Sequence, residues 1–290
     1  MKILVTGATG NVGREVVKNL HQRGVEVRAL ARRPESVNFP AGVEVLPGDL
    51  TDPESIRVAV KGIDKLFLLN AVVADELTQA LITYGIAKRA RIKHVTYVSV
   101  YKADRFRDVP HFASKVAVEN ALKEFGVHYT ILRPGYFFQN DLSLKPLLLG
   151  LGIYPMPIGP TGISAVDSHD IAEAAAITLT QNGHQNQTYD LVSSSQITGP
   201  GNAALWSKAL GKQITYTGHD FDAFEKQMST QLPGWMAYDM RTMLEGYFER
   251  GFASTDADVS RATHLLGHAP RTYDAFVQEA AAEWSNTIQR

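Results

Sequence analysis

The sequence contains no cysteine among its 290 residues. This absence excludes disulfides, thiol nucleophiles, iron–sulfur clusters and zinc sites built from cysteine, and it is typical of a protein from a reducing cytoplasm. An excess of one charge is also missing, because Lys and Arg nearly balance Asp and Glu at a formal net charge of −1. We therefore expect neither nucleic acid nor an anionic membrane as a partner, since both select clustered basic residues.

Long hydrophobic runs are absent as well. The most apolar stretch, residues 147–158, is interrupted by Gly and Pro, and no segment approaches the roughly 20 apolar residues of a membrane helix. The 9 histidines are scattered without the spacing of metal ligands. The sequence thus predicts a soluble, cytoplasmic protein with no metal site.

Short apolar runs alternate with amphipathic segments through the first half of the chain. The runs predict strands at residues 2–6, 25–31, 43–48, 64–70, 94–100 and 128–134. The segments between them predict helices at residues 11–23, 53–61, 76–90 and 114–125. Strands joined through helices run parallel with right-handed crossovers. The fold class is therefore predicted to be α/β, a Rossmann-type doubly wound parallel sheet.

The alternation weakens after residue 134. Gly and Pro crowd residues 150–162, a helix is expected near residues 167–180, and one more strand at residues 188–192. From residue 199 the sequence predicts mostly helix, rich in aromatic residues. We predict two parts: residues 1–150 carry the sheet, and residues 151–290 form a smaller, mostly helical part interleaved with its last strands.

The segment TGATGNVG joins the first strand to the first helix with three glycines at three-residue intervals. In this context Gly7 permits a tight turn, Gly10 lets the backbone approach a pyrophosphate, and Gly13 lets the helix pack closely. The amides of Asn11 and Val12, at the positive end of the helix, would then face the anion. The sequence predicts a dinucleotide site, the alternative being a glycine-rich turn without a ligand.

The second strand ends without a carboxylate. Arg32 and Arg33 follow it, and the first acid is Glu35. A carboxylate at this point would bind the ribose 2′-hydroxyl of NAD, whereas a guanidinium can bind a 2′-phosphate. We therefore predict NADP(H), with Arg32 as the first candidate and Arg33 as the second, unless both are solvated loop residues.

Polar residues also end the later strands at the same edge of the predicted sheet. Asp49 is placed either to reach the adenine amino group or to serve as a turn or helix-capping aspartate. Asn70 and Ala71 end the fourth strand, and Ser99 ends the fifth. Ligands of open α/β sheets bind at this carboxyl edge, so these residues are predicted to contact the cofactor.

Several stretches of the chain resemble the NmrA-like family of atypical short-chain dehydrogenases/reductases. They are TGATGNVG, ARRPE, GDLTDPES, FASKVAVENAL and YTILRPGYFFQN, of which the first and the last are the most specific. The similarity runs along the whole chain and is weakest after about residue 199. It implies an NADP-binding Rossmann domain and a small C-terminal substrate-binding part. The family includes quinone and triphenylmethane-dye reductases, and also redox sensors that bind NADP without using it.

The resemblance also implies roles for individual residues. Its phosphate loop corresponds to Gly7, Thr9, Gly10, Asn11 and Val12, and its 2′-phosphate site to Arg32. Lys115 corresponds to the lysine near the nicotinamide ribose, and Tyr136, Phe137 and Asn140 to the nicotinamide and substrate side. The candidate catalytic residues are Lys115, His111 and Tyr136.

The chain departs from the short-chain dehydrogenase pattern four residues before Lys115. The usual acid there is a tyrosine, whose pKa a nearby ammonium lowers, and this chain has His111. His111 can donate a proton near neutral pH, or it is a surface residue before a helix. Likewise, Lys115 is either catalytic or a solvated helix lysine, and Ser99 either functional or bonded only to backbone.

The missing tyrosine argues against alcohol–ketone and sugar-epimerase chemistry. It favours an acceptor that needs little acid help, such as a quinone or a conjugated cation, held between aromatic walls. Tyr136, Phe137 and Phe138, joined by Trp235, are candidates for those walls, unless they belong to the core. The sequence thus predicts an NADPH-dependent oxidoreductase acting on a flat, electron-poor small molecule, with a homodimer as the candidate assembly. The alternative is a non-catalytic NADP(H) sensor.

Overall fold

The computed structural model of the protein describes residues 1–288. The strands within these residues are β1 (Lys2–Val5), β2 (Glu26–Ala31), β3 (Glu44–Pro47), β4 (Lys65–Leu68), β5 (His94–Val98), β6 (His128–Pro134), β7 (Tyr136–Phe137), β8 (Ile153–Tyr154), β9 (Ile163–Val166), β10 (Gln187–Leu191), β11 (Gln196–Ile197) and β12 (Thr215–Tyr216). The α-helices are α1 (Asn11–Gln22), α2 (Pro53–Ala59), α3 (Glu76–Arg89), α4 (Pro110–Glu124), α5 (Ser168–Thr180), α6 (Gly199–Leu210), α7 (Phe221–Met228), α8 (Gly234–Arg250), α9 (Asp256–Leu266) and α10 (Tyr273–Ile288). None of the helices in this part of the chain combines the length and hydropathy that a bilayer crossing requires.

The chain divides into two compact units, each made of two segments. Unit 1 consists of Met1–Arg133 and Ser168–Asp190, and unit 2 of Pro134–Asp167 and the residues from 191 onward. The chain therefore passes from one unit to the other at residues 133–134, 167–168 and 190–191. The predicted domain boundary at residue 150 lies within the first segment of unit 2.

Unit 1 is built on a sheet with the strand order β10-β6-β5-β4-β1-β2-β3. The pairs from β3 through β6 are parallel. The chain adds β2 and β3 on one side of β1, then returns to add β4, β5 and β6 on the other. A crevice for ligands opens at such a reversal, outside the carboxyl ends of the strands. The predicted doubly wound arrangement is confirmed.

Both faces of this sheet are buried, which explains its continuous apolar runs. In β1, Ile3, Leu4 and Val5 are all fully enclosed. One core lies between the sheet and helices α2, α3 and α4, while α5 packs against α1. Apolar residues on consecutive positions of a strand are the pattern expected when both faces are covered.

Helix α4 begins at Pro110, four residues before the predicted start. Proline suits the first position of a helix, because its missing N–H would have no intrahelical partner there and its φ is already helical. The earlier start brings His111 into the first turn of the helix.

Unit 2 contains two small sheets, β11-β9-β7 and β12-β8, with helices α6 to α10. The predicted helical character from residue 199 is confirmed. Strands β7, β8, β11 and β12 were not predicted, because elements of two residues are too short to show a period of two. The four-residue strand β9 was not predicted either.

Candidate functional site

The loop between β1 and α1 requires glycine at two positions. Gly7 has a φ of +61°, and a Cβ on it would lie 2.9 Å from the carbonyl oxygen of Leu69. A Cβ on Gly13 would collide with the carbonyl oxygen of Gly7. The first turn of α1 therefore packs directly on the backbone of the loop, as the spacing of the glycines predicts.

The start of α1 offers an uncompensated positive end. Gly10, the N-cap residue, provides no side-chain cap, and the first turn has no acidic residue. A Cβ on Gly10 would meet only the Gly7 oxygen, at 3.5 Å, so its outward side is open. Thr9, Gly10 and Asn11 are exposed, while Val12 is buried. Exposed amides at the positive end of a helix, with no anion of the chain's own, suit a diphosphate.

The hydroxyl of Thr6 joins this loop to the end of β4. It accepts a hydrogen bond from the Leu69 amide at 2.9 Å, and lies 3.0 Å from the Leu69 carbonyl oxygen, to which it donates. The connection lies where the order of the strands reverses.

Asn70, the next residue, is buried without a partner. Its side chain is only 4% exposed, and neither amide atom has a hydrogen-bond partner within residues 1–288. An unsatisfied buried amide costs about 1–3 kcal/mol, so Asn70 is suited to a ligand that both donates and accepts. Ala71, beside it, is exposed.

Arg32 and Arg33 are exposed directly after β2. Asp49 lies near the first of them. Its Oδ1 accepts hydrogen bonds from the amide and the hydroxyl of Thr51, at 2.8 and 2.7 Å. Hydrogen bonds from Thr51, with the charge of Arg32, hold the pKa of Asp49 below its ordinary value. Asp49 therefore has the turn role expected as one alternative, and its contact with adenine stays a prediction.

Lys115 is buried rather than solvated. It is 5% exposed, its Nζ lies 2.5 Å from Oε1 of Glu76, and it sits 5.5 Å from the centroid of the Tyr97 ring. The interpretation of Lys115 as a solvated helix lysine is wrong. His111, one helical turn earlier, is half-buried and meets the Phe112 ring edge-on at 4.6 Å.

Ser99 belongs to a buried network around Glu119. Its hydroxyl donates to Glu119 Oε1 at 2.6 Å, and the Arg133 guanidinium donates to both carboxylate oxygens, at 2.8 and 2.5 Å. Burial raises the pKa of Glu119, but hydrogen bonds from Arg133 and Ser99 outweigh it, and the pKa lies below its ordinary value. Because its single proton points to Glu119, Ser99 can offer only acceptor lone pairs to a ligand.

In unit 2, Tyr136 belongs to a cluster around the fully buried Asp141. The Tyr136 hydroxyl donates to Asp141 Oδ1 at 3.3 Å, the Tyr154 hydroxyl donates to Oδ2 at 2.9 Å, and the Tyr273 hydroxyl also donates to Oδ2. Burial raises the pKa of Asp141 to about 6, although the three tyrosine hydrogen bonds oppose it. The same burial, with the Asp141 charge, raises the pKa of Tyr136 well above its ordinary value.

The other predicted substrate residues lie in different surroundings. Asn140 is exposed and Phe137 half-buried, and Trp235 is 37% exposed. Phe138 is fully buried, and its ring packs edge-on to Tyr273 at 5.3 Å. Phe138 is therefore a core residue of unit 2, while the substrate roles of Phe137 and Asn140 stay predictions.

A sequence model of the NmrA-like family matches residues 1–277. This chain belongs to the NmrA-like family. The match covers nearly the whole of the sequence, and the resemblance seen in the motifs is confirmed.

The NmrA-like chain is 31% identical over 232 residues to the NAD(P)H azoreductase of Xenophilus azovorans, covering 78% of this chain and 80% of that protein. Among solved structures it is similar to the NADPH-dependent quinone oxidoreductase of Escherichia coli complexed with NADPH, at a TM-score of 0.85 and 28% identity, over 96% of this chain and 99% of that one. It is also similar to the triphenylmethane reductase of Citrobacter sp. complexed with NADP(H), at a TM-score of 0.83 and 26% identity, over 97% and 100%. The predicted fold class is confirmed.

Two buried carboxylates of this NmrA-like chain escaped the sequence reasoning. Glu119 lies four residues after Lys115 on α4. A glutamate among the apolar residues of this helix could have indicated a buried carboxylate. Glu76 pairs with Lys115, which lies 39 residues later in the sequence. No local pattern around either residue predicts that contact.

Proposed function

We propose that this NmrA-like protein transfers a hydride from NADPH to a flat, electron-poor small molecule such as a quinone or a dye. At the coarser level, it is an NADP-dependent oxidoreductase, because relatives of the same fold over most of the chain are NAD(P)H-dependent reductases. The predicted enzyme class and the predicted cofactor are confirmed. The class of acceptor is the part that we propose.

The observation that supports the cofactor in this chain is the open, uncapped start of α1 at Gly10, where the first turn carries no acidic residue. Amides of Asn11 and Val12 would hold the diphosphate, and Arg32 the 2′-phosphate. Asn70, with its unpaired amide, fits the nicotinamide end, together with Ser99 and Lys115. When bound, NADPH supplies the hydride.

The proposed class of acceptor rests on the lack of an effective tyrosine proton donor beside Lys115 in the described residues. The usual tyrosine is His111 in this chain. Tyr97, whose ring faces Lys115, cannot replace it, because burial and the charges of Glu76 and Glu119 raise its pKa well above the ordinary value. A ketone needs a proton as it becomes an alcohol. Hydride transfer neutralises a conjugated cation outright, and it converts a quinone to a delocalised hydroquinone anion that can take its proton from water afterwards. Binding and orientation therefore suffice.

The experiment is a kinetic survey of the purified protein. NADPH oxidation is followed by absorbance with a panel of quinones, azo dyes, triphenylmethane dyes and simple ketones. We expect turnover with several flat acceptors and none with simple ketones. Tight NADPH binding without turnover on any acceptor would overturn the proposal in favour of the sensor.

A further inference from the structure

The ion pair between Glu76 and Lys115 is enclosed almost completely. The side chains are 2% and 7% exposed, and the distance from Nζ to Oε1 is 2.5 Å. Removing both charges from water is costly, and attraction within the pair repays that cost only where the remaining donors and acceptors are also satisfied. The hydrogen bonds of this pair therefore distinguish a purely structural role from a role in binding a ligand.

The pair leaves polar atoms unsatisfied. Neither oxygen of Glu76 accepts a well-aligned hydrogen bond within the described residues, although Oε1 is close enough to Lys115 for an ion pair. An ammonium has three N–H donors. In the described part of the chain, Lys115 has only the Glu76 carboxylate and the Tyr97 ring as partners. A pair that served the fold alone would keep these atoms satisfied.

The position of the pair is that of the candidate site. Glu76 is the first residue of α3, at the end of the connection from β4 that carries Asn70. Lys115 lies in the first half of α4, with its Nζ over Tyr97 near the carboxyl end of β5. Helices that follow parallel strands begin at the carboxyl edge of the sheet, where ligands bind.

We propose that Glu76 is the positioning residue for Lys115, fixing its ammonium so that the free N–H groups face the nicotinamide riboside of the cofactor. This inference rests on the proposed function. A lysine side chain is flexible along four carbons, and a buried carboxylate beside its ammonium restricts it to one orientation. Glu76 thus acts on the cofactor through Lys115.

The test separates the two ends of the cofactor. Binding of NADPH and of adenosine 2′,5′-bisphosphate, which lacks the nicotinamide riboside, is measured for the wild type, Glu76→Gln, Glu76→Asp, Lys115→Met and the Glu76→Gln/Lys115→Met double variant. Glu44→Gln is the matched control, because Glu44 also pairs with a buried cation, Arg28, at 2.9 Å. Thermal unfolding is recorded for every variant.

We expect Glu76→Gln and Lys115→Met each to weaken NADPH binding about tenfold or more, the usual effect of losing a hydrogen bond to a charged group. Binding of adenosine 2′,5′-bisphosphate should stay at the wild-type level. In the Lys115→Met background, Glu76→Gln should weaken NADPH binding no further. With Lys115 present, Glu76→Asp should bind NADPH more tightly than Glu76→Gln. Glu44→Gln should bind both ligands like the wild type.

Three results would overturn the inference. They are equal losses for both ligands, wild-type NADPH binding in Glu76→Gln, and additive losses in the double variant. If the wild type binds NADPH and turns over, any of these removes the role of Glu76 and leaves the proposed function standing. A wild type that binds no NADPH would remove both.

Discussion

At the scale of the residue, the three glycines of TGATGNVG have distinct physical roles. Gly7 supplies a positive φ, Gly13 supplies the absence of a side chain against the loop backbone, and Gly10 has room for a methyl group on the protein side. The spacing of the motif predicts a role for all three glycines. Only the structure shows that the fold requires Gly7 and Gly13, whereas Gly10 is open toward a ligand.

Gly10→Ala and Gly13→Ala should therefore fail in different ways. Gly10 has φ −81° and ψ 173°, a conformation that alanine adopts, so Gly10→Ala should unfold near the wild-type temperature and bind NADPH at least tenfold more weakly. Gly13→Ala should lose about 1–3 kcal/mol of stability, since its Cβ overpacks the loop. Denaturant unfolding and NADPH titration check both variants. Wild-type NADPH binding by Gly10→Ala would contradict the assignment of the loop.

Arg32 is expected to select the phosphorylated cofactor. A guanidinium that binds a phosphate with paired hydrogen bonds contributes about 1.5–3 kcal/mol. Arg32→Ala should thus weaken NADPH binding roughly tenfold to a hundredfold, with NADH binding little changed. Arg33→Ala is measured beside it, since Arg33 is the second candidate and is also exposed after β2. A larger loss there than in Arg32→Ala would assign the contact to Arg33. Equal losses for the two dinucleotides would refute the role of Arg32.

At the scale of the element, carboxylates join the ends of strands and helices. Glu119 on α4 holds Arg133 at the end of β6 and Ser99 after β5, within a network that is almost fully enclosed at the carboxylate. Lys123 contacts the same carboxylate from an exposed position at 3.3 Å. The buried carboxylate therefore has one partly buried and one exposed cationic partner.

The two cationic partners should contribute unequally to stability. Arg133→Met leaves the Glu119 charge buried with weaker compensation, and we expect a loss of about 3–5 kcal/mol. Lys123→Met removes a solvated contact and should cost less than about 1 kcal/mol. Urea unfolding at neutral pH measures both. Similar losses in the two variants would show that the deeper burial and paired hydrogen bonds of Arg133 have no energetic consequence.

Asp141 joins β7, β8 and α10 through three tyrosine hydroxyls, and it makes the stability of unit 2 depend on pH. Its pKa in the folded protein is about 6, above the ordinary 3.8, so folding favours the protonated acid. The stability that this group contributes is fully present below about pH 4, declines as the pH rises, and is lost above about pH 6.

The variant Asp141→Asn removes this titration. Relative to the wild type, it should gain on the order of 2–3 kcal/mol between about pH 4 and about pH 8, since each unit of pKa corresponds to about 1.4 kcal/mol. The difference in free energy of unfolding between the two proteins, measured across that range, checks it. A difference that does not change with pH would contradict the burial argument.

The elements also show what the sequence could predict. Strand β6 has the predicted bounds, and β1 to β5 differ from theirs by one or two residues at either end, because continuous apolar runs report burial on both faces. Contacts between distant segments could not be predicted. The pairing of Glu76 with Lys115 and of Asp141 with Tyr273 depends on tertiary packing, which leaves no periodic trace in either segment.

At the scale of the whole molecule, unit 1 is discontinuous in sequence. The segment Ser168–Asp190 returns to unit 1 after the chain has passed through Pro134–Asp167. It contributes strand β10 to the sheet and helix α5, which packs against α1. Ten residues of α5 are buried. A piece of chain that ends before α5 would leave uncovered the part of α1 that packs against α5.

A fragment of residues 1–150 should therefore lack a cooperative unfolding transition, and a fragment of residues 1–190 should show one. The physical reason is that the face of α1 toward α5 and the edge of β6 are covered only in the longer fragment. Circular dichroism during heating compares the two. A cooperative transition in the shorter fragment would support the domain boundary predicted near residue 150.

The same discontinuity sets an order of events during synthesis. The phosphate loop is synthesised well before the last strand of its sheet, β10, which ends at Leu191. A nascent chain thus carries its nucleotide-recognition segment without a complete sheet until β10 has been made, and domains fold as units once their last element is available. Cofactor capture by the nascent chain is in this way deferred until β10 has left the ribosome.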